Sequence, residues 1–388
     1  MKRLFLLILS CLCGLVGALA QFANMGQFTT ANGLSNNSAL CALRDSYGML
    51  WVGTENGLNY FDGLRLRSYR DMVTGLNPSE TNSVKSLFEY DRDIWFGGSA
   101  GLYVFDRKQN RYKSFDVRTR YGVKISSTAP QILATDNDLV WILTQGQGMF
   151  IYDTKADTLY QDSRHGSYFC DAAVGKDGLV YTVTLTGQLV VFRGDGQYIR
   201  TLEVPGYQVD KNPISLVDVH GTLWLGHNTT LSRLATGDIE PQTVFTLLGA
   251  IRCLSSDQQG RLLIGSDEGV FRYTAGSNRL ENLSRSLPGG VGLTDNAVNN
   301  MVWDGDSTLI VLTRMGGVNM LPIQESGFVF IPLDTNTASA HNFIKAMCWG
   351  EYGELWLGGD GGLYRGNYGD RHISRYAQDK LPYEVTNF

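Results

Sequence analysis

The sequence predicts an all-β fold, a β-propeller built of four-stranded antiparallel blades. The first observation is a strand–turn–strand segment, LWVGTENGLNYF at residue 50, which occurs in eight copies such as IWFGGSAGLYVF at 94 and LWLGGDGGLYRG at 355. The second is the spacing of the copies, which lies between 39 and 47 residues. The third is the presence of 45 glycines in 388 residues, which indicates many turns. Four-stranded repeats of this length are typical of β-propellers.

A strand on either side of each hairpin completes the four strands of a blade. In the first repeat SALCAL (38–43) precedes the hairpin and LRLRSYR (64–70) follows it. A turn with an acidic residue and a glycine, such as DSYG at 45, lies ahead of the hairpin, where the acid can accept backbone N–H bonds. We expect the large residue at the second hairpin position to lie between adjacent blades. The predicted structural residues are Trp51, Trp95, Trp141, Trp224, Trp356, Gly53 and Gly57.

The number of repeats leaves two architectures open. The next first strand begins near Val84, 33 residues after Trp51, and the chain continues for 32 residues past Trp356, so it ends within a ninth first strand. The favoured interpretation is a seven-bladed propeller over residues 21–341, with 342–388 as the start of a second propeller. The alternative is a single eight-bladed ring, closed by residues 21–29 or 385–388.

Residues 1–20 have the pattern of a secretory signal peptide. Two basic residues precede an apolar run over residues 4–16, and an Ala-Leu-Ala cleavage site ends at Ala20. We therefore expect export, with Gln21 as the first mature residue. A lipoprotein anchored at Cys11 and an uncleaved membrane anchor are the alternatives, and no other stretch approaches the length of a membrane span.

Two of the six cysteines, Cys11 and Cys13, lie in the signal segment. The other four do not have the close spacing of a disulfide framework. They are separated by 129, 83 and 95 residues. We expect them to be small buried residues in strands rather than metal ligands. They are Cys41, Cys170, Cys253 and Cys348.

Residues 48–63 resemble the repeat of the two-component regulator propeller family. The family pattern, Gly-x-Leu-Trp-x-Gly-Thr-x-x-Gly-Leu-x-x-Phe-Asp-Gly, matches GMLWVGTENGLNYFDG position by position. The segment FTTANGLSNNSA (28–39) is also similar to the way such ectodomains begin. The resemblance covers essentially the whole mature chain, although the fourth and seventh repeats lack the Trp and most of the glycines.

This resemblance implies a periplasmic sensor. In the family, two seven-bladed propellers precede a small β-sandwich, a membrane helix, a histidine kinase and, in hybrid members, receiver and DNA-binding modules. The chain is then expected to be a truncated or split form of such a sensor, without the kinase. The partners implied are the remaining part of a sensor kinase or a second copy of the chain.

Charge and motif content argue against nucleic-acid binding and phosphate binding. The formal net charge is −5, and no Lys/Arg-rich stripe follows residue 3. The glycine-rich segments GGSAG (97–101) and GGDGG (358–362) lack the following helix and the Lys-Ser/Thr pair of a phosphate loop. The Gly-x-Ser-x-Gly sequence around Ser99 lies in a strand-to-strand turn, whereas a nucleophile elbow needs a strand-to-helix turn.

The histidines do not form a recognisable metal or catalytic pattern. His220 and His227 flank the hairpin of the fifth repeat and could approach each other on antiparallel strands, but we expect them to be solvent-exposed turn residues. We predict no catalytic residue, no metal site and no cofactor. The five histidines are His165, His220, His227, His341 and His372.

The candidate ligand-binding face is the one that carries the turns between second and third strands. In an up-and-down blade these turns share a face with the loops that join blades. A ring of amides, carboxylates and one guanidinium there suits a polyhydroxylated ligand, which needs several directional donors and acceptors. The candidate residues are Glu55, Asn56, Ser99, Gln145, Gln147, Asn228, Asp267, Glu268, Arg314 and Asp360.

The leading functional hypothesis is a non-enzymatic periplasmic sensor that binds glycan fragments to regulate polysaccharide utilisation. The signalling role and the saccharide ligand are implied by the family resemblance, because a propeller fold alone does not determine function. One alternative is an exported lyase or hydrolase, which would need titratable side chains converging at one point. Another is a protein-interaction platform.

Overall fold

The computed structural model describes residues 26–69, 81–135, 138–209, 214–235, 238–257, 259–284, 293–304, 308–322, 344–350, 354–367 and 372–376. The predicted signal segment, the possible closing segment 385–388 and His341 lie outside these residues, as does the predicted boundary between residues 341 and 342. The described elements are 32 strands and two short 3₁₀ helices, Thr30–Asn32 and Ala275–Ser277.

The strands form eight four-stranded antiparallel sheets, which confirms the predicted fold class. The chain divides into two compact units, the first containing strands β1 to β28 and the second β29 to β32. In the first unit the sheets are blades 1 to 7, and in blades 1 to 6 the strand order follows the chain.

The strand bounds of the first four blades are as follows. Blade 1 contains β2 (Ala39–Arg44), β3 (Leu50–Thr54), β4 (Gly57–Phe61) and β5 (Leu66–Ser68). Blade 2 contains β6 (Ser86–Tyr90), β7 (Asp93–Gly98), β8 (Gly101–Asp106) and β9 (Arg111–Ser114). Blade 3 contains β10 (Gln131–Thr135), β11 (Leu139–Leu143), β12 (Met149–Asp153) and β13 (Thr158–Asp162). Blade 4 contains β14 (Phe169–Val174), β15 (Leu179–Thr184), β16 (Gln188–Arg193) and β17 (Tyr198–Glu203).

The remaining sheets have the following strand bounds. Blade 5 contains β18 (Ser215–Val219), β19 (Thr222–His227), β20 (Thr230–Leu234) and β21 (Gln242–Thr246). Blade 6 contains β22 (Ile251–Ser256), β23 (Leu262–Ser266), β24 (Gly269–Thr274) and β25 (Arg279–Asn282). Blade 7 contains β26 (Val298–Asp304), β27 (Thr308–Thr313), β28 (Val318–Pro322) and β1 (Gln27–Phe28). The second unit contains β29 (Ile344–Trp349), β30 (Glu354–Gly359), β31 (Gly362–Asn367) and β32 (His372–Arg375).

The first strand of the chain completes the seventh blade. Gln27 and Phe28 pair antiparallel with Asn319 and Val318 of β28, as the outermost strand of that sheet. The innermost strands of consecutive blades are neighbours all the way round, including β26 and β2. The first unit is therefore a closed seven-bladed ring. The N-terminal segment that was considered as the closure of an eight-bladed ring instead closes blade 7.

In blades 1, 2, 3 and 5 the tryptophan at the second hairpin position packs against the third strand of the next blade. The apolar core is accordingly divided into clusters, several of which lie between two blades. Trp51 is fully buried, and its indole N–H donates to Asp45 Oδ2 at 2.6 Å while Oδ1 of the same carboxylate accepts the N–H groups of Tyr47 and Met49. The ring-centroid distances are 5.3 Å for Trp51–Phe105, 5.7 Å for Trp95–Tyr152, 5.7 Å for Trp141–Phe192 and 5.6 Å for Trp224–Tyr273.

Gly53 allows the next blade to approach the second strand closely. A Cβ atom on Gly53 would lie 2.6 Å from Cγ1 and 2.8 Å from the carbonyl oxygen of Val84, at the entrance to blade 2. The equivalent Gly265 of blade 6 would meet Val298 of blade 7 in the same way. Gly57 has a different role, because its φ of 110° closes the hairpin turn in a conformation that favours glycine.

One position of each innermost strand is placed to connect neighbouring blades along the inner wall of the ring. This position pairs with the second-strand residue that lies two places after the large hairpin residue. In blade 1, for example, Cys41 pairs with Gly53, two residues after Trp51. Its side chain bonds the backbone of the next blade in five of the seven cases. Three donate: Cys41 Sγ to Val84 O at 3.4 Å, Ser86 Oγ to Ala129 O at 2.7 Å and Asn300 Nδ2 to Leu40 O at 3.3 Å. Two accept: Asp171 Oδ2 from Leu216 N at 2.9 Å and Ser215 Oγ from Leu254 N at 3.1 Å. The seven residues, which we call the stitch positions, are Cys41, Ser86, Gln131, Asp171, Ser215, Cys253 and Asn300.

Replacing Trp51 by alanine should lower the free energy of unfolding by about 3–5 kcal/mol, because a buried aromatic and its inter-blade packing are lost. Chemical denaturation monitored by circular dichroism measures the change. The control is Trp349→Ala, since the Trp349 side chain is 61% exposed. Equal stability of the Trp51 variant and the wild type would contradict the packing described here.

Replacing Gly53 by alanine should destabilise the protein by about 1–3 kcal/mol, because the added methyl group forces blades 1 and 2 apart. Gly276→Ala is the matched control, because a Cβ there would meet no atom within 4 Å. Thermal unfolding of both variants provides the comparison. A Gly53 variant that is no less stable than the Gly276 variant would show that the blades do not approach as closely as described.

The stitch carboxyl of Asp171 should make stability depend on pH. Burial raises the pKa of Asp171 from 3.8 to about 6, although the bonds from Leu216, Ala172 and Ser215 act in the opposite direction. The folded state therefore binds this proton more tightly than the unfolded chain, so the stabilising contribution is complete below about pH 4 and is lost as pH rises through about 6. The Tm of the wild type relative to Asp171→Asn should thus increase as pH falls from 7 to 4. Parallel Tm–pH curves would contradict this assignment.

Candidate functional site

A central cavity of about 380 Å³ lies along the axis of the seven-bladed ring. Its wall is formed by the innermost strands of all seven blades or by the residues that immediately precede them. The volume falls within the roughly 300–1,000 Å³ of small-molecule sites. The polar side chains in the lining come from six blades: Lys85, Ser86, Gln131, Asp171, Ser215, Arg252, Asn299 and Asn300.

The two cations of the wall are each paired with a carboxylate from a hairpin turn. Lys85 Nζ lies 2.8 Å from Glu55 Oε1, and Arg252 Nε lies 2.5 Å from Asp267 Oδ1. Burial opposes the ionisation of Glu55, but hydrogen bonds from Lys85 and Ser83 outweigh it and hold the pKa of Glu55 below its usual value. The wall therefore presents compensated ion pairs instead of a surface of one charge.

The amide side chains fix the seam between blades 7 and 1 while leaving some polar atoms for a ligand. Asn299 Nδ2 donates to Ala39 O at 2.9 Å, and the Arg44 guanidinium forms an ion pair with Asp304 across the same seam. Within the described part of the chain, no residue hydrogen-bonds to Asn299 Oδ1 or to the Gln131 amide. These groups provide both acceptors and donors at the wall.

The predicted ligand-face residues all lie in turns between second and third strands, but the cavity lining does not include them. Glu55 and Asp267 reach the cavity indirectly, through the cations that they hold. In the second unit, Asp360 similarly pairs with Lys345, whose Nζ lies 2.5 Å from Asp360 Oδ1. Asn56 and Glu268 each donate their backbone N–H to a hydroxyl of the turn, from Thr54 and Ser266 respectively.

The predicted residues of blades 2 and 3 bind the loop between them. Gln147 Oε1 accepts from Ser126 N at 2.7 Å, and its Nε2 donates to Lys124 O at 3.0 Å. Gln145 N donates to Thr128 O, and the Thr128 hydroxyl donates to Ser99 O at 3.0 Å. The side chain of Gln147 is thus engaged in holding the loop.

The other predicted tips also attach to blade entrances through their backbones. Asn228 O accepts from Ile251 N at 2.6 Å, and the φ of Asn228 is 48°, a left-handed value that asparagine tolerates. Arg314 N donates to Ala297 O at 2.8 Å. The turns therefore serve first to join neighbouring blades.

One expectation about the histidines is wrong. His220 and His227 lie at opposite ends of β19, so the strand separates them instead of bringing them together. His227 is also only 1% exposed, and burial lowers its pKa, whereas we expected an exposed turn residue. His165 Nδ1 donates to Asp162 Oδ2 at 2.9 Å, and the imidazole stacks on Tyr198. Within the described ranges, no group of three or more His, Cys, Asp or Glu side chains is arranged to hold a metal ion.

The cysteines lie in strands, as predicted. Cys41, Cys170 and Cys253 are buried, Cys348 is partly exposed, and all four are free thiols. Burial raises the pKa of both Cys41 and Cys170 to about 12, which disfavours the thiolate that metal binding needs. Among the described residues, no helix has the length and apolar character needed to cross a membrane.

The cavity wall contains residues that the sequence interpretation missed, including Lys85, Asp171, Arg252 and Asn299. The sequence signal for these residues lies in the first strand of each repeat. When the eight copies are aligned on the hairpin register, the first strands carry these polar residues at one or two adjacent positions, whereas the prediction considered only the hairpin tips.

Two short segments of the chain resemble known protein sequences. Residues 33–56 match the model of the two component regulator propeller family. A 57-residue segment, 15% of this chain, is 42% identical to histidine kinase P4 of Formosa agariphila and corresponds to 4% of that protein.

Two solved structures show the same fold at low sequence identity. The extracellular domain of a proposed hybrid two component system, BT3049 of B. thetaiotaomicron, superposes with a TM-score of 0.66 at 20% identity, covering 88% of this chain and 48% of that one. Virginiamycin B lyase of Staphylococcus aureus superposes with a TM-score of 0.57 at 12% identity, covering 74% of this chain and 96% of that one. The chain thus spans about half the length of the extracellular domain.

The repeat match and the fold agree with each other. The segment 33–56 contains β2 and β3, whose residues Trp51 and Gly53 form the contacts between blades 1 and 2. The same contacts recur around a closed ring of seven four-stranded blades. The first unit is therefore a seven-bladed β-propeller, and its first blade contains a segment, residues 33–56, that matches the two component regulator propeller family.

Proposed function

We propose that the chain is a non-enzymatic sensor propeller that is exported to the periplasm and binds glycan fragments in its central cavity. The observation that carries the proposal is the cavity itself, to which every blade contributes backbone or side-chain atoms. Its ion pairs, amides and hydroxyls suit a neutral polyhydroxylated ligand, which needs many directional hydrogen bonds and no net charge.

The signalling part of the proposal is supported by the proteins to which the chain is similar. The family model is that of a two component regulator, one sequence relative is a histidine kinase, and a structural relative is the extracellular domain of a proposed hybrid two component system. In this role, occupancy of the cavity would be relayed to a kinase, and regulation of polysaccharide utilisation would be the response. The partner is the remaining part of a sensor kinase or a second copy of the chain.

A second candidate function is a lyase of the virginiamycin B lyase type. The observation in its favour is Asp171, a cavity carboxyl whose pKa is raised to about 6 by burial. The argument against it is that Asp171 is occupied by three donors, Ala172 N, Leu216 N and Ser215 Oγ. A relative of this type is described as inactive when one histidine is replaced, and no histidine is present in the cavity lining of the described residues.

Isothermal titration calorimetry of the full chain with a panel of neutral disaccharides (cellobiose, xylobiose, maltose, lactose and mannobiose) tests the proposal. We expect binding by at least one, and at least a tenfold loss of affinity in Gln131→Ala and Asn299→Ala, because each removes hydrogen bonds at the wall. Lys155→Ala, whose side chain is 78% exposed, is the control. Silence across the panel, or turnover of a ligand, would contradict a non-enzymatic glycan sensor.

A further inference from the structure

Tyr168, close to the cavity lining, is aromatic where the equivalent residues of other blades are short. It stands immediately before Phe169, the buried residue that begins the innermost strand of blade 4. The equivalent position, three residues before each stitch residue, holds a short side chain in the other blades where it is described: Ser38, Ser83, Thr128, Ala250 and Ala297. Five blades form the same turn without an aromatic side chain, so the fold does not require one here.

The Tyr168 ring is exposed although its backbone is held from two sides. The side chain is 53% exposed. Tyr168 forms a β-bridge with Gln145 in the turn of blade 3, and its carbonyl oxygen accepts from Leu185 N at 2.8 Å in the turn of blade 4. The backbone that carries the ring is therefore fixed before a ligand arrives, which reduces the conformational entropy lost on binding.

The backbone of Gly146 lies beside the Tyr168 ring. A Cβ atom on Gly146 would lie 3.9 Å from Cε1, Cζ and Oη of Tyr168, so the ring rests beside bare backbone. Among the residues that the structure describes, none hydrogen-bonds to the Tyr168 hydroxyl. The exposed part of this residue thus offers an apolar surface and an unused polar group at its edge, a combination typical of tyrosines at binding surfaces.

Tyr168 adjoins the wall that carries Asp171. Cys170, Asp171 and Ala172 all line the cavity, beginning two residues after Tyr168. Asp171 is the only acid among the seven stitch positions, so blade 4 departs from the other blades both at the entrance and at the wall. Blade 4 therefore offers a ligand both an aromatic ring and a carboxyl group, three residues apart, that the equivalent positions of the other described blades lack.

We propose that Tyr168 is a stacking platform for a sugar ring at the entrance of the central cavity. A pyranose presents an apolar face of C–H groups together with hydroxyls at its edge, which matches the exposed ring and free hydroxyl of Tyr168. The ligand class is therefore a saccharide with one unsubstituted apolar face. This inference rests on the proposed function and adds the residue that orients the ligand.

The test compares Tyr168→Ser, the residue that blades 1 and 2 have at this position, with Tyr121→Ser as the matched control. Tyr121 is 76% exposed and lies nine residues before the nearest lining residue, Pro130, whereas Tyr168 lies two residues before the lining residue Cys170. Calorimetry uses the same disaccharide panel with the full chain. We expect Tyr168→Ser to weaken binding at least tenfold with an unchanged Tm, Tyr168→Phe to weaken it less, and Tyr121→Ser to leave it unchanged.

The outcomes separate this inference from the proposed function. Wild-type binding that persists undiminished in Tyr168→Ser overturns the platform and leaves the glycan sensor standing. Equal losses in Tyr168→Ser and Tyr121→Ser also overturn it, because they indicate a general effect of surface tyrosines. Absence of wild-type binding overturns the proposed function itself, and the platform with it.

Discussion

The structure of the first unit depends on close packing between neighbouring blades around a closed ring. Each second strand must come near the next blade, and the chain meets this requirement with one large and one absent side chain. Trp51 fills the space between blades 1 and 2, while Gly53 lets Val84 approach where any Cβ atom would collide. Because the same solution recurs at several interfaces, the ring is held by many similar contacts and has no single dominant core.

Closure of the ring also determines where a ligand can bind. The innermost strands turn their free edges toward the axis, so backbone groups must be satisfied by side chains, by water or by a ligand. Stitch residues such as Ser86 and Asn300 satisfy some of them by bonding the next blade. The remaining polar atoms surround a cavity of about 380 Å³. The packing that stabilises the fold thus also creates the candidate site.

The fold was predictable from the sequence because the repeat carries it. A single hairpin pattern marks the second and third strands, and its eight copies give the number of four-stranded units but not how many of them close into one ring. The identity of the closing strand was not predictable, because Gln27 and Phe28 form a two-residue strand with no periodicity of their own. The site was predicted only in part: Glu55 and Asp267 were named, but their partners Lys85 and Arg252 lie on other strands, and pairing in space is not visible in the hairpin pattern.

The central claim is that the inner wall of the seven-bladed ring receives a saccharide. Hydrogen–deuterium exchange of the full chain, with and without a disaccharide that binds in calorimetry, tests it most directly. The account predicts slower exchange in peptides that cover the innermost strands, above all residues 168–172 and 130–132, and no change in the outermost strands. Protection confined to outer strands, or to the second unit, would contradict it.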